Sequence, residues 1–202
     1  MAVPLRVAVL ASGEGSTLAA LAKRWTDAPG EVELRLVICD RPGARVVERA
    51  RANTWPLRVV ERAGRSEEAW ADDLTASLVA ADVELVVLAG FLSILPPSWV
   101  ARWDGRAINL HPSLLPRYGG PGMHGARVHA AVLAAHERET GVTVHLVTAD
   151  VDAGPSLGQE PIAVRADDTP ETLRQRLAPL EVELLDRTVR AFARGELPLP
   201  YR

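Results

Sequence analysis

The 202-residue chain holds a single cysteine, Cys39. One thiol cannot close an intramolecular disulfide, so an apolar core must hold the fold, and a reducing cytoplasm is the expected compartment. No apolar stretch approaches the ~20 residues that cross a bilayer, and the run Val7 to Ala11 is too short for the core of a signal peptide. Neither export nor membrane association is therefore expected. An excess of positive charge is also missing: 23 basic against 26 acidic residues leave a net charge of -3. That balance offers no broad cationic field for a phosphate backbone, so small molecules rather than nucleic acid are the expected partners. There is no internal repeat, low-complexity tract or inter-domain linker. Metal-ligand spacing is absent as well, because His124 and His129 stand five residues apart with no compact partner set, and no metal is expected.

What is present is a 48% hydrophobic, 24% charged composition, suited to one sizeable core and a single domain over residues 1–202. Short apolar runs at Leu5 to Ala11, Glu33 to Asp40, Leu57 to Val60 and Val83 to Ala89 read as buried strands. Helical patterns separate them at Ser16 to Trp25, Ala44 to Ala52 and about Glu67 to Ala80. This alternation predicts a Rossmann-like α/β fold, a mainly parallel sheet with helices on both faces and a site beyond the carboxyl ends of the strands. The second half continues with a brief strand Ala107 to Leu110 and an irregular segment, Pro112 to Gly125, holding three prolines and four glycines. Beyond it the pattern gives a helix over about Ala126 to Glu137, a strand Gly141 to Thr148, a Gly154-Pro155 turn and a strand near Ile162 to Arg165. Thr169-Pro170-Glu171 then opens a last helix.

Two constellations lie at the predicted strand ends. Ser12-Gly13-Glu14-Gly15-Ser16-Thr17 joins the first strand to the first helix, where free backbone amides favour an anion. A plain turn capped by Ser16 would use the same residues. Asp40, ending the second strand, would suit a dinucleotide, but Leu18 stands where that pattern needs its third glycine, so a mononucleotide phosphate fits better. In the second constellation, Asn109 and His111 share one side of their strand by its period of two. An amide and an imidazole side by side can stabilise an oxyanion and manage protons. Asp152, before the Ala153-Gly154-Pro155 turn, would raise the pKa of His111 and fix its tautomer if it lay beside it. Each of the three also has a purely structural use, as a turn former, a loop histidine and a turn cap. His145, alternating with Val144 and Leu146, is either a supporting partner or a core histidine.

Together, Ser12 to Thr17, Leu88-Ala89-Gly90-Phe91, Ile108-Asn109-Leu110-His111-Pro112-Ser113-Leu114-Leu115-Pro116 and Asp152-Ala153-Gly154-Pro155 resemble the phosphoribosylglycinamide formyltransferase family, from Arg6 to about Gly195. The resemblance implies a formyltransferase fold and transfer of a formyl group from 10-formyltetrahydrofolate, as cosubstrate, to the amine of glycinamide ribonucleotide, in purine biosynthesis. It implies Asn109, His111 and Asp152 as catalytic residues, and the loop of Gly13, Glu14, Gly15, Ser16 and Thr17 as the phosphate site. Glu181 falls where the family contacts the ribose. Leu92, Ser93, Ile94 and Leu95, with Asn109 and Ala149, Asp150, Val151 and Asp152, fall where it holds folate. Residues 1–100 would then be the mononucleotide-binding half and 101–202 the folate and catalytic half of a monomer or homodimer. The chain departs from the usual pattern at Thr17, commonly asparagine, at Ser93, often arginine or another long residue, and in the longer segment Tyr118 to Gly125. Related formyl transferases acting on tRNA carry an extra C-terminal domain, and formyltetrahydrofolate hydrolases an N-terminal one; with a first strand at Leu5 and an end at Arg202, neither is expected here. A silent nucleotide-binding module would not be expected to keep Asn109, His111 and Asp152 together.

Overall fold

Along β1 (Leu5–Leu10) the side chains alternate between two apolar layers. Val7 and Val9 pack with Leu18, Leu21 and Trp25 of α1 (Ser16–Asp27), whereas Ala8 and Leu10 pack with Trp70, Leu74 and Leu78 of α3 (Glu67–Ala80). Burial of each large aliphatic side chain contributes about 1.5–3 kcal/mol, several times the spread of helix propensities, so packing on the sheet decides which segments stay helical. A computed structural model describes residues 3–199; the outermost positions of the expected domain, 1–2 and 200–202, lie outside it.

The other elements are β2 (Val32–Cys39), α2 (Arg45–Ala52), β3 (Leu57–Val59), β4 (Leu85–Leu88), α4 (Pro97–Arg102), β5 (Ala107–His111), α5 (Ala126–Ala134), β6 (Glu139–Leu146), β7 (Ser156–Ala163) and α6 (Pro170–Ala193). The strands form one seven-stranded sheet in the order β3-β2-β1-β4-β5-β6-β7. The first five run parallel, β6 runs antiparallel to β5, and β7 antiparallel to β6. The expected single α/β domain is therefore what the chain forms. Strand order reverses between β1 and β4, and a crevice opens at their carboxyl ends. Thr169 and Thr172 cap α6 reciprocally, each side chain bonding the other's backbone N–H at 3.2 and 2.8 Å, with Pro170 in the first turn.

Three expectations need correction. The last strand begins directly after the hairpin loop, at Ser156, because it pairs with β6 from His145 opposite Ser156 to Glu139 opposite Ala163. It is a half-exposed edge strand, which explains its polar sequence and tolerates Pro161. The helix after the irregular segment stops at Ala134, since His136 turns into left-handed backbone at φ 51°. Finally, α4 had no counterpart in the sequence reading, although it buries Trp99, whose ring stacks 5.9 Å from that of Trp103.

Candidate active site

The loops after β1, β4, β5 and β6, with helices α5 and α6, enclose a cavity of about 510 Å³ at the crevice. The first loop follows β1. Gly15, at φ 67°, is the N-cap of α1, and a Cβ there would lie 2.6 Å from Cγ2 of Val46, so only glycine fits. The Gly13 carbonyl accepts the Val46 N–H at 3.0 Å, tying the loop to α2. Ser16 is thus the first helical residue and not the cap, and Gly15 has no side chain to bond the helix end. The first amides of α1 are left for a ligand. Glu14 is exposed beside Arg45 and Arg49, at 3.5 and 4.0 Å.

The second loop, after β4, is pinned twice. Ser12 Oγ accepts the Leu92 N–H at 2.8 Å, and Ser93 Oγ donates to Asp40 Oδ2 at 2.5 Å. Asp40 therefore anchors this loop and is not among the cavity-lining residues. Leu92 and Ile94 line the cavity with 38% and 52% of their surface exposed, an apolar wall suited to a flat ring, and Leu95 is buried behind them.

The reacting groups come from β5, β6 and the hairpin loop between β6 and β7. Asn109 lies opposite His145 across the antiparallel pair, which brings both side chains to one face. His145 Nδ1 donates to the Leu146 carbonyl at 2.8 Å, so its Nε2 is a bare acceptor and takes the Asn109 Nδ2–H at 3.1 Å. Asp152 is held at φ 57° and lies at the centre of the cluster. Its Oδ2 accepts the Gly120 N–H at 3.0 Å and faces His111 Nδ1 at 3.4 Å. Its Oδ1 faces Asn109 Nδ2 at 3.4 Å and His145 Nε2 at 3.6 Å.

Burial pushes the Asp152 carboxyl up, but the polar groups around it, the Gly120 N–H among them, bring it below the ordinary value. For His111 the balance runs against the sequence expectation. Burial lowers its pKa by more than Asp152 raises it, and the tautomer is set by the Tyr118 carbonyl, which accepts the Nε2–H at 2.8 Å. The resting ring is neutral, with its Nδ1 lone pair toward the carboxylate.

The wall opposite comes from α6 and α5. Glu181 is desolvated there, and its carboxyl is pushed up to about 7 despite a hydrogen bond from Thr17 and the charge of Arg174. Arg174 and His129 line the same cavity. Thr143 pins the start of the glycine-rich segment, donating to the Ser113 carbonyl at 2.6 Å and accepting the Leu115 N–H at 3.1 Å. Ala149 and Val151 reach the cavity, whereas Asp150 is exposed and does not. The period of β6 is enough to bring His145 to the site, whereas His129 and Arg174 meet only through the packing of α5 on α6. Among the described residues, no group of three or more histidine, cysteine or acidic side chains could hold a metal ion.

Comparison with known proteins accords with this geometry. A family model described as formyl transferase matches residues 5–189. The chain is 41% identical over 191 residues to phosphoribosylglycinamide formyltransferase of Mycobacterium tuberculosis, covering 94% of this chain and 86% of that protein. It is 38% identical over 193 residues to the trifunctional purine biosynthetic protein adenosine-3 of Drosophila melanogaster, covering 94% of this chain and only 14% of that much longer protein. The solved structure of phosphoribosylglycinamide formyltransferase from Coxiella burnetii superposes with a TM-score of 0.87 at 37% identity, over 95% of this chain and 88% of that one. With a family match across most of its length and relatives of this identity, the chain belongs to the formyl transferase family, among the phosphoribosylglycinamide formyltransferases.

Proposed function

We infer that this protein transfers the formyl group of 10-formyltetrahydrofolate to the amine of N1-(5-phospho-D-ribosyl)glycinamide, giving the formylated ribonucleotide and tetrahydrofolate, a step of purine (IMP) biosynthesis. The observation that carries this reading is the cluster of Asn109, His111, His145 and Asp152, its two histidines buried, at the junction of an anion-binding helix end and an apolar wall. Gly13 to Thr17 take the phosphate and Glu181 the ribose. The apolar side chains at Leu92 to Leu95, with Ala149, Val151 and the backbone up to Asp152, flank the pterin. The surroundings of Leu92 and Ile94 fit such a ring because two large apolar side chains are left uncovered there.

Formyl transfer to an amine builds negative charge on the carbonyl oxygen and removes one proton from the amine while the departing folate nitrogen gains one. Asn109 serves the oxygen. Its Nδ2 keeps one hydrogen on His145, and the other, held only by the long 3.4 Å contact with Asp152, turns to the oxyanion. Asp152 and His111 serve the proton. With Nε2–H committed to Tyr118, Nδ1 of the neutral ring and the facing carboxylate form one proton-accepting pair, which passes the amine proton through water to the folate nitrogen. Small molecules are the partners in this reading, and no metal takes part.

The deciding experiment is incubation of the purified protein with 10-formyltetrahydrofolate and glycinamide ribonucleotide, with mass analysis for the formylated product. Absence of product with folate known to be active overturns the assignment.

A further inference from the structure

His129, on α5, is 2% exposed and lines the cavity, yet no group among the described residues bonds its ring. Its Nδ1 is sealed from solvent without a partner. A buried ring nitrogen left unpaired costs stability that an apolar residue of the same shape would not. The cavity therefore sees the opposite edge of the ring, which carries Nε2. An unpaired lone pair on Nδ1 is cheaper than an unpaired N–H, so the proton sits on Nε2 and faces the cavity as a donor.

Position tells which ligand this donor meets. The charges that act on His129 are those of Arg174 and Glu171, Arg174 in turn feels Glu181 and Glu14, and His111 lines the same cavity. His111, His129, Arg174 and Glu181 thus form a path from the reacting cluster to the glycine loop. That path is the one an acceptor must span if its amine lies at Asn109 and its phosphate at Gly13 to Thr17. The apolar loop Leu92 to Leu95 follows β4 and lines the same cavity from another element. Burial, then the neighbouring Arg174, hold the imidazole neutral, which suits an uncharged oxygen better than a phosphate.

We propose that His129 is a substrate-binding residue whose Nε2–H donates to an uncharged oxygen of the ribosyl-glycinamide portion of the acceptor. The inference rests on the function assigned above. It adds a donor that fixes the acceptor between its two ends, so that the amine meets the formyl carbon in one orientation.

The test compares His129→Phe, which keeps the shape and removes the donor, with His129→Gln, whose amide nitrogen reaches the place of Nε2. In the phenylalanine variant the KM for glycinamide ribonucleotide should rise about tenfold, as for one lost hydrogen bond, with the KM for 10-formyltetrahydrofolate unchanged. The melting temperature should stay level or rise, since an orphaned nitrogen is removed. Glutamine should recover most of the affinity. An unchanged acceptor KM in His129→Phe, an equal rise in both KM values, or glutamine no better than phenylalanine would each overturn the proposal. These outcomes presuppose product from the wild-type protein; a wild type that forms none removes the function itself and this inference with it.

Discussion

Asp152 gives each carboxylate oxygen two neighbours, one pair on the proton side and one on the oxyanion side. If His111 and Asp152 act as one unit, removing either disables both. Asp152→Asn and His111→Ala should each lower kcat by on the order of 10²–10⁴, and the double variant should be little worse than either single one. Strictly multiplicative losses in that cycle would show two independent residues. Glu181 carries a different signature. Its folded carboxyl keeps a proton up to about pH 7, against an ordinary value of 4.5, so the native state binds more protons than the unfolded chain in that window. Stability is therefore lost as pH rises from about 4.5 to 7 and is level above it. Glu181→Gln should remove this slope and stabilise the protein at pH 8 by about 2 kcal/mol, with no gain at pH 4.5, in urea unfolding. The same ionisation makes the side chain a better acceptor for ribose hydroxyls. Affinity for glycinamide ribonucleotide, measured calorimetrically, should rise through pH 7 in the wild type by a margin that the glutamine variant lacks.

Among the elements, the junction of β1 and α1 separates fold from ligand binding at two neighbouring glycines. A side chain at Gly15 meets both a left-handed backbone and the Val46 side chain, so Gly15→Val should cost about 2–4 kcal/mol and test packing alone. At Gly13 a Cβ meets nothing within 4 Å. Gly13→Val should keep its melting temperature and raise the KM for the acceptor; a variant that binds as before would remove the phosphate from this loop. Of the parallel strands, β1, β4 and β5 were legible as apolar runs because both of their faces are buried, and the start of α6 was legible because Thr169 and Pro170 act locally. By contrast, α4 is six residues long, too short to show a period, and β7 takes its place from pairing with β6, not from a pattern of its own. At the site, Asn109 and His111 followed from the alternation along β5. The neutrality of His111 did not, since it depends on how deeply the loop from Pro112 buries the ring.

At the scale of the molecule, the net charge of -3 bears on the choice of acceptor. With no cationic field to hold a polynucleotide, the protein should not formylate charged initiator tRNA at physiological salt. Detectable formyl-aminoacyl-tRNA in that assay would overturn the small-molecule acceptor. The sheet is flanked by a junction between distant parts of the chain. Asp186 of α6 accepts the Trp25 indole N–H of α1 at 2.9 Å, and Arg190 reaches Glu31, before β2, at 2.6 Å, across 159 residues of sequence. Asp186→Ala should leave the buried indole N–H unpaired and cost about 2 kcal/mol in urea unfolding. This junction also sets an order in time. A ribosome that has synthesised everything through β7 carries a chain in which the apolar side of α1 still lacks its cover and the cavity still lacks the wall bearing Arg174 and Glu181. The nascent protein should stay open to proteases and unable to retain its acceptor until the last helix clears the exit tunnel, so that closing the core and completing the site become one late event of its synthesis.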